Sequence, residues 1–204
     1  MKPHEFNSPR SVRAPRPGVE SVRVIVIGTG FSGLCMGAQL REAGEDDFVM
    51  LERADDVGGT WRDNTYPGCA CDVPSHLYSF SFEANPTWSR MYAPQPEIHA
   101  YLRQTAEKYD LLQHVRFHAN VVSARFDEAR QLWCVQAEDG RQFEAPVLVS
   151  GMGGLSNPMI PHIPGLDQFE GATFHSATWQ HDYDFVGKRV AVIGSGASAI
   201  QFVP

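Results

Sequence analysis

The chain of 204 residues has no apolar run near the roughly 18 residues that cross a membrane as a helix. It has no excess of basic charge. Lys and Arg number 17 against 24 Asp and Glu, a formal net charge of −7. That balance argues against a nucleic-acid partner, which a basic face would meet. Cysteine is sparse: Cys35, Cys69, Cys71 and Cys134 form no CxxC pair and no disulfide-like density. A reduced, cytoplasmic setting is expected. Cys69 and Cys71 fall short of a ligand set, so no metal is expected. The first twenty residues carry four Pro and three Arg. No apolar stretch of roughly 7–15 residues follows, so a secretory signal is not expected, and 1–20 reads as a flexible tail. Hydrophobic residues at 43% and charged residues at 20% exclude disorder of the whole chain.

What is present begins with a βαβ unit. Val22 to Ile27 is β-branched and almost wholly apolar, the pattern of a buried parallel strand. Gly28-Thr29-Gly30-Phe31-Ser32-Gly33 follows, then a helical stretch with Leu34, Ala38 and Leu40 toward one side. Ala43-Gly44 closes it. Phe48 to Leu51 is the next buried strand and ends in Glu52. The spacing Gly28-x-Gly30-x-x-Gly33, with an acid 19 residues beyond the last glycine, is a dinucleotide fingerprint. The first glycine permits a tight turn, the second lets backbone approach a pyrophosphate, and the third packs helix on strand. The helix N-terminus offers N–H groups to phosphate. Glu52 would accept hydrogen bonds from ribose hydroxyls.

Residues 54–96 lack periodicity and mix Gly58-Gly59, Pro67-Gly68 and further prolines with aromatics. A segment that long without a period is usually functional. Pro96 to Tyr109 is predicted as an amphipathic helix, with Ile98, Tyr101, Leu102, Thr105 and Tyr109 on one face. From Val115 to Val149 the pattern is strand-like. Runs at Val121–Phe126 and Leu132–Val135, a turn at Asp139-Gly140 and a run at Phe143–Val149 make an antiparallel meander. Leu155 to Leu166 holds three Pro and reads as a connector.

Arg189 to Ile193 is predicted as another buried strand, feeding Gly194-Ser195-Gly196-Ala197-Ser198-Ala199. A shift of 166 residues aligns Arg23, Val24, Val26, Ile27, Gly28, Gly30 and Ser32 with identical residues. The echo predicts one local geometry used twice. Ala199 in the third position points to NADP over NAD. Two dinucleotide motifs imply two cofactors, one passing hydride to the other, hence a flavin and a nicotinamide.

Several residues admit two readings when taken alone. Trp61 suits either a flavin ring or a core. Asp72 is as easily a turn residue, and His175 as easily a hydrogen-bonded structural histidine. His76, His99, His114, His118, His162 and His181 are scattered and most simply solvated.

Two longer patterns carry a resemblance. Phe169-x-Gly171-x-x-x-His175-x-x-x-Trp179 lies between the glycine motifs, and Gly58-Gly59-x-Trp61 through Tyr66-Pro67-Gly68 to Asp72 precedes it. The chain resembles the class B flavoprotein monooxygenases, and specifically the Baeyer–Villiger monooxygenases, over residues 22–204. Trp179 separates this group from the related flavin-containing monooxygenases, although Gln180 departs from the Pro or Asp that often follows. The resemblance implies FAD and NADPH as cofactors. It also implies a C4a-peroxyflavin that inserts one oxygen of O₂ beside a ketone carbonyl, giving an ester or lactone. S- or N-oxygenation of a sulfide or amine is the alternative reading. By position, Gly28, Gly30, Phe31, Ser32, Gly33, Glu52 and Arg53 are implied to hold the FAD pyrophosphate and ribose, and Val121 the adenine. Gly59, Thr60, Trp61, Asp72 and Tyr78 are implied near the flavin ring, with Asp72 the catalytic carboxylate that positions an Arg of a later segment. Gly194, Ser195, Gly196, Ala197, Ser198 and Ala199 are implied as the nicotinamide cofactor's phosphate loop. Phe169, Gly171, His175 and Trp179 are implied to couple domains.

The expected class is α/β. After the tail, residues 21–155 form a Rossmann-like FAD-binding domain with an antiparallel β insertion. Residues 156–187 form a linker carrying the fingerprint, and 188–204 begin a second, NADP-binding Rossmann domain. Pro204 comes ten residues after Gly194. The chain is therefore expected to be a fragment, inactive in isolation.

Overall fold

The computed structural model describes residues 16–203. Its elements in chain order are β1 (Val19–Ser21), β2 (Val24–Ile27), α1 (Phe31–Glu42), β3 (Phe48–Leu51), α2 (Thr60–Asp63) and α3 (Gln95–Lys108). They continue with β4 (Val115–Arg116), β5 (Val121–Asp127), β6 (Leu132–Ala137), β7 (Gln142–Ala145), β8 (Val147–Ser150) and α4 (Ala197–Phe202). Two compact units divide the chain. One holds the chain up to Val57 with Thr105–Gly153, and the other holds Gly58–Gln104 with the chain from Gly154 onward. The boundary at 104–105 falls inside α3.

In the first unit an all-parallel sheet has the order β4-β3-β2-β8, and a second sheet has the order β1-β7-β6-β5. The core lies where their faces meet. Ile25, Ile27, Val49 and Leu51 from the parallel sheet pack with Val135, Ala137, Phe143 and Ala145. The intervening Val26 and Met50 are equally buried, and Met50 lies against Gly37 of α1. A strand buried on both faces must be apolar throughout, which is why β2 and β3 show no alternation. Each such side chain contributes about 1.5–3 kcal/mol when buried.

Three sequence expectations are corrected here. Phe143–Val149 is two strands, not one. Pro146 has no N–H to give a ladder, and the chain leaves the small sheet at β7 and enters the large one at β8. Val22–Ile27 is a strand only from Val24 on, and Val22 and Arg23 link β1 to β2. The two crossings run side by side. Val19 pairs with Gln142 and Val24 with Val147, the same offset of 123 residues in both sheets. Consequently Val19 and Glu20 are strand residues within the stretch read as a tail, and residues 1–15 of that tail lie outside the described residues. Third, Arg189–Ile193 forms no strand, and Val190 and Ile193 are 59% and 66% exposed. A buried parallel strand needs ladder partners on its sides, and none of the described strands pairs with this run.

Glu144 of β7 ties its strand to β1 and to the turn between β5 and β6. Its carboxylate accepts hydrogen bonds from Arg130 Nη2 (2.5 Å), Ser21 Oγ (3.0 Å) and Arg16 Nε (3.1 Å). Burial pushes this carboxyl up, and the bonds from Arg130, Ser21 and Arg16 outweigh it and leave it below its ordinary value. A lowered native carboxyl gives stability that is present at neutral pH and lost as pH falls through its native pKa. Replacing Glu144 by Gln is expected to cost about 1–3 kcal/mol at neutral pH. The cost should shrink when denaturation is repeated at a pH low enough to protonate the wild-type carboxyl, because the bonds to the charged form are then lost. An equal cost at both pH values would contradict the assignment.

Candidate nucleotide and flavin site

In the first unit, β2 ends in a turn built from three glycines. Gly28 has φ +92, and its N–H donates to Leu51 O at 2.8 Å. A Cβ there would meet Gly151 O at 2.7 Å, and one at Gly33 would meet Gly28 O at 1.9 Å. One at Gly151 would meet Gly33 N and Ile27 O at 3.0 Å. The three backbones interlock, which fixes where α1 begins. Gly30 is the N-cap of α1, with no side-chain cap and no acid in the first turn. The N–H groups of a first helical turn have no partner within the helix, so this end is suited to an anion. Phe31 is half-buried and Ser32 exposed.

Glu52 is 4% exposed. Its Oε2 accepts from Thr29 N at 3.1 Å and Thr29 Oγ1 at 2.5 Å, and its Oε1 accepts from Ala54 N at 3.0 Å. The glycine turn thus orients the acid that follows the next strand. Arg53 is exposed beside it, and Val121 opens β5, half-buried, at a register irregularity. Thr29 and Gly151 were missed by sequence reasoning. The x of a GxGxxG pattern and a glycine 118 residues beyond Gly33 carry no local signal.

In the second unit, Gly59 at φ +54 is the N-cap of α2. Trp61 is buried, and its Nε1 donates to Tyr78 OH at 3.1 Å. The two rings meet edge to face, with centroids 5.2 Å apart. The Trp61 carbonyl accepts from the side-chain amide of buried Gln95. Gln95 is a third missed residue, hidden one place before the first residue of the expected helix. Thr60 and Asp72 are exposed. Burial raises the Tyr78 hydroxyl, the Trp61 hydrogen bond lowers it, and the Asp72 charge raises it. Burial also pushes Tyr66 up to about 12, with a bond to Ser198 lowering it and Cys69 and Asp72 raising it. Burial raises the Cys69 thiol against a lowering bond to Tyr66, which keeps it protonated and a poor nucleophile at neutral pH.

The second glycine motif repeats the first in backbone. Gly194 has φ +116 where Gly28 has +92. Gly196 caps α4 at φ −73, ψ 177, where Gly30 caps α1 at φ −77, ψ −167. The packing differs, since a Cβ at Gly194 or Gly196 would meet nothing within 4 Å. Ala199 stands where Gly33 allows the closest approach of the first turn. Ser195 and Ala197 are exposed, and Ser198 and Ala199 half-buried.

The fingerprint residues form two groups. The Phe169 ring folds over Gly171, where a Cβ would fall 2.5 Å from it. His175 caps a short 3-10 turn, its Nδ1 accepting from Ala177 N at 3.1 Å. Trp179 packs on Phe174, Phe185 and Phe202, with centroids 5.2 to 5.5 Å apart. Three further histidines are engaged rather than simply solvated. His114 stacks on Phe48 at 4.0 Å, His99 lies against Gly58, and His181 Nε2 is 2.8 Å from Thr65 Oγ1.

A family model described as flavin-binding monooxygenase-like matches residues 21–203. The chain belongs to that family. Among members of similar sequence, a Baeyer–Villiger monooxygenase of Pseudomonas aeruginosa is 57% identical over 182 residues, covering 89% of this chain and 34% of that protein. One of Streptomyces coelicolor is 56% identical over 185 residues, covering 91% and 36%. The crystal structure of cyclohexanone monooxygenase from Rhodococcus sp. Phi1 bound to NADP⁺ matches with a TM-score of 0.82 at 39% identity, over 91% of this chain and 36% of that one. The chain therefore spans about a third of the length of these flavin-binding monooxygenase-like relatives. Among the described residues no helix is long and apolar enough to cross a membrane.

The glycine interlock yields a stability test. Gly33→Ala is expected to destabilise by about 3 kcal/mol or more, because a Cβ 1.9 Å from Gly28 O forces backbone to move. Gly44→Ala, at φ +74 with open space around it, is expected to cost only the left-handed penalty of about 1–2 kcal/mol. Comparable losses on chemical denaturation, with α1 undisplaced in a Gly33→Ala structure, would contradict the interlock.

Proposed function

We propose that the protein carrying this chain is a cytoplasmic FAD- and NADPH-dependent monooxygenase that oxidises a small ketone to an ester or lactone. The observation that carries the reading is the first glycine turn. Its interlocked backbones leave an uncapped helix end next to an acid fixed by Thr29. A pyrophosphate fits there by charge, and a Cβ at Gly28 would disrupt the cradle. Gly28, Gly30, Phe31, Ser32 and Gly33 hold the pyrophosphate, Glu52 and Arg53 the ribose, and the Val121 backbone the adenine.

Gly59, Thr60, Trp61, Tyr78 and Asp72 meet the flavin ring. Bound FAD would supply hydride acceptance from NADPH and the activation of O₂. Trp61, held by Tyr78 and Gln95, presents a fixed ring edge. Asp72 holds a cation beside developing negative charge, a placement worth most in a site closed to water. Gly194, Ser195, Gly196, Ala197, Ser198 and Ala199 take the NADPH phosphates, and Phe169, Gly171, His175 and Trp179 couple the cofactor-binding parts. This NADP assignment is supported by the NADP⁺ named with the Rhodococcus structure.

The test supplies NADPH, ¹⁸O₂ and a mixture of a cyclic ketone and an aryl sulfide to the purified protein. A lactone carrying one labelled oxygen is expected. Recovery of sulfoxide alone would contradict ketone oxidation and favour the sulfide- or amine-oxygenating reading. Asp72→Ala is expected to lower ketone turnover about 10²–10³-fold, with flavin content unchanged.

A further inference from the structure

The face of α4 behind the second glycine motif makes contacts that the assigned roles leave unused. Gln201 Oε1 accepts from Tyr66 OH at 2.9 Å and from Ala70 N at 3.3 Å, and Gln201 Nε2 donates to Ala70 O at 2.9 Å. The side-chain amide thus pairs with the peptide groups of residue 70 as a neighbouring strand would. Its orientation is fixed, because Ala70 N–H only donates and Ala70 C=O only accepts. Ser198 and Phe202 share this face at helical spacing. The Phe202 ring meets the Tyr66 ring at 5.7 Å. Gly68, at φ +78, passes so close that a Cβ there would fall 2.6 Å from the Gln201 carbonyl oxygen. Phe202 also packs on Trp179. The loop gripped in this way, Tyr66 to Ala70, leads directly into Asp72.

We propose that Gln201 is a positioning residue that ties the second glycine motif to the Tyr66–Asp72 loop, so that seating a nicotinamide dinucleotide on that motif sets Asp72. The coupling rests on the functional reading above, whereas the tie rests on the hydrogen bonds alone. Each bond is modest, but three bonds share one rigid amide. Removing it leaves the Tyr66 hydroxyl and both Ala70 groups to find water. Gln201→Glu has the same size and sets an oxygen against the Ala70 carbonyl. It therefore separates hydrogen bonding from packing.

The experiment compares wild type, Gln201→Ala, Gln201→Glu, Tyr66→Phe and Tyr66→Phe/Gln201→Ala in the FAD-loaded protein. Hydrogen exchange of the Ala70 amide is followed with and without NADP⁺, and anaerobic flavin reduction by NADPH is timed. In wild type, NADP⁺ is expected to slow Ala70 exchange. In Gln201→Ala and Gln201→Glu the basal exchange rises at least tenfold and the NADP⁺ response disappears. The limiting reduction rate falls at least tenfold while flavin content and exchange at Ile25 and Val49 stay at wild-type levels. The double variant falls no further than Gln201→Ala. Wild-type exchange at Ala70 in Gln201→Ala overturns the tie. A Gln201→Glu variant that matches wild type shows that only packing matters and overturns it as well. An Ala70 amide in wild type that ignores bound NADP⁺ overturns the coupling. If NADPH does not reduce the flavin of wild type while Ala70 protection still depends on Gln201, the functional reading has failed and the tie stands.

Discussion

The closest approach in the first unit is between glycine backbones. Gly28, Gly33 and Gly151 occupy one another's Cβ positions, and Gly151 N donates to Ile27 O at 2.8 Å. A Cβ does not fit at Gly28 or Gly33, and one at Gly151 would crowd the backbone of Gly33 and Ile27. This constraint joins the end of β2 to the end of β8 and sets the start of α1 against both. The pairing of β2 with β8, and of β1 with β7 at the same offset, therefore fixes where the helix end points. Glu52 is drawn into the same arrangement through Thr29, so the helix end and the acid are placed by one turn.

The second turn has the same backbone in a different setting. Gly194 and Gly196 adopt the conformations of Gly28 and Gly30 with open space around them, and Ala199 replaces the glycine of closest approach. Local sequence therefore suffices for the turn and its helical start. It does not suffice for the strand that should precede it, because a strand exists through its neighbours. Arg189–Ile193 has the composition of β2 and no ladder. α4 instead finds its partners in side chains: Gln201 and Phe202 against Tyr66 and its loop, and Phe202 against Trp179.

Legibility in the sequence followed the range of the interaction. Phe48–Leu51 was readable to the residue, and α3 to within one residue at each end, because burial pattern and local propensity decided both. The split of Phe143–Val149 was signalled by Pro146, yet its meaning required knowing that two sheets lie in sequence along the same pair of chain segments. The three-residue β1 has no period to detect. At the candidate site, fixed-spacing motifs exposed Gly28, Gly33, Glu52, Trp61 and Asp72. The residues that hold Glu52, Trp61 and the glycine turn, namely Thr29, Gln95 and Gly151, and Gln201 that holds the Tyr66–Ala70 loop, act across 23 to 131 residues of chain and left no local trace.

The central claim is that two turns of one geometry serve two different dinucleotides. Amide chemical shifts of the ¹⁵N-labelled protein, recorded on adding FAD and then NADP⁺, test it most directly. FAD is expected to move the signals of Phe31, Ser32 and Gly33, and NADP⁺ those of Ser195 to Ala199. A single dinucleotide moving both sets, or FAD moving only the second, would contradict it.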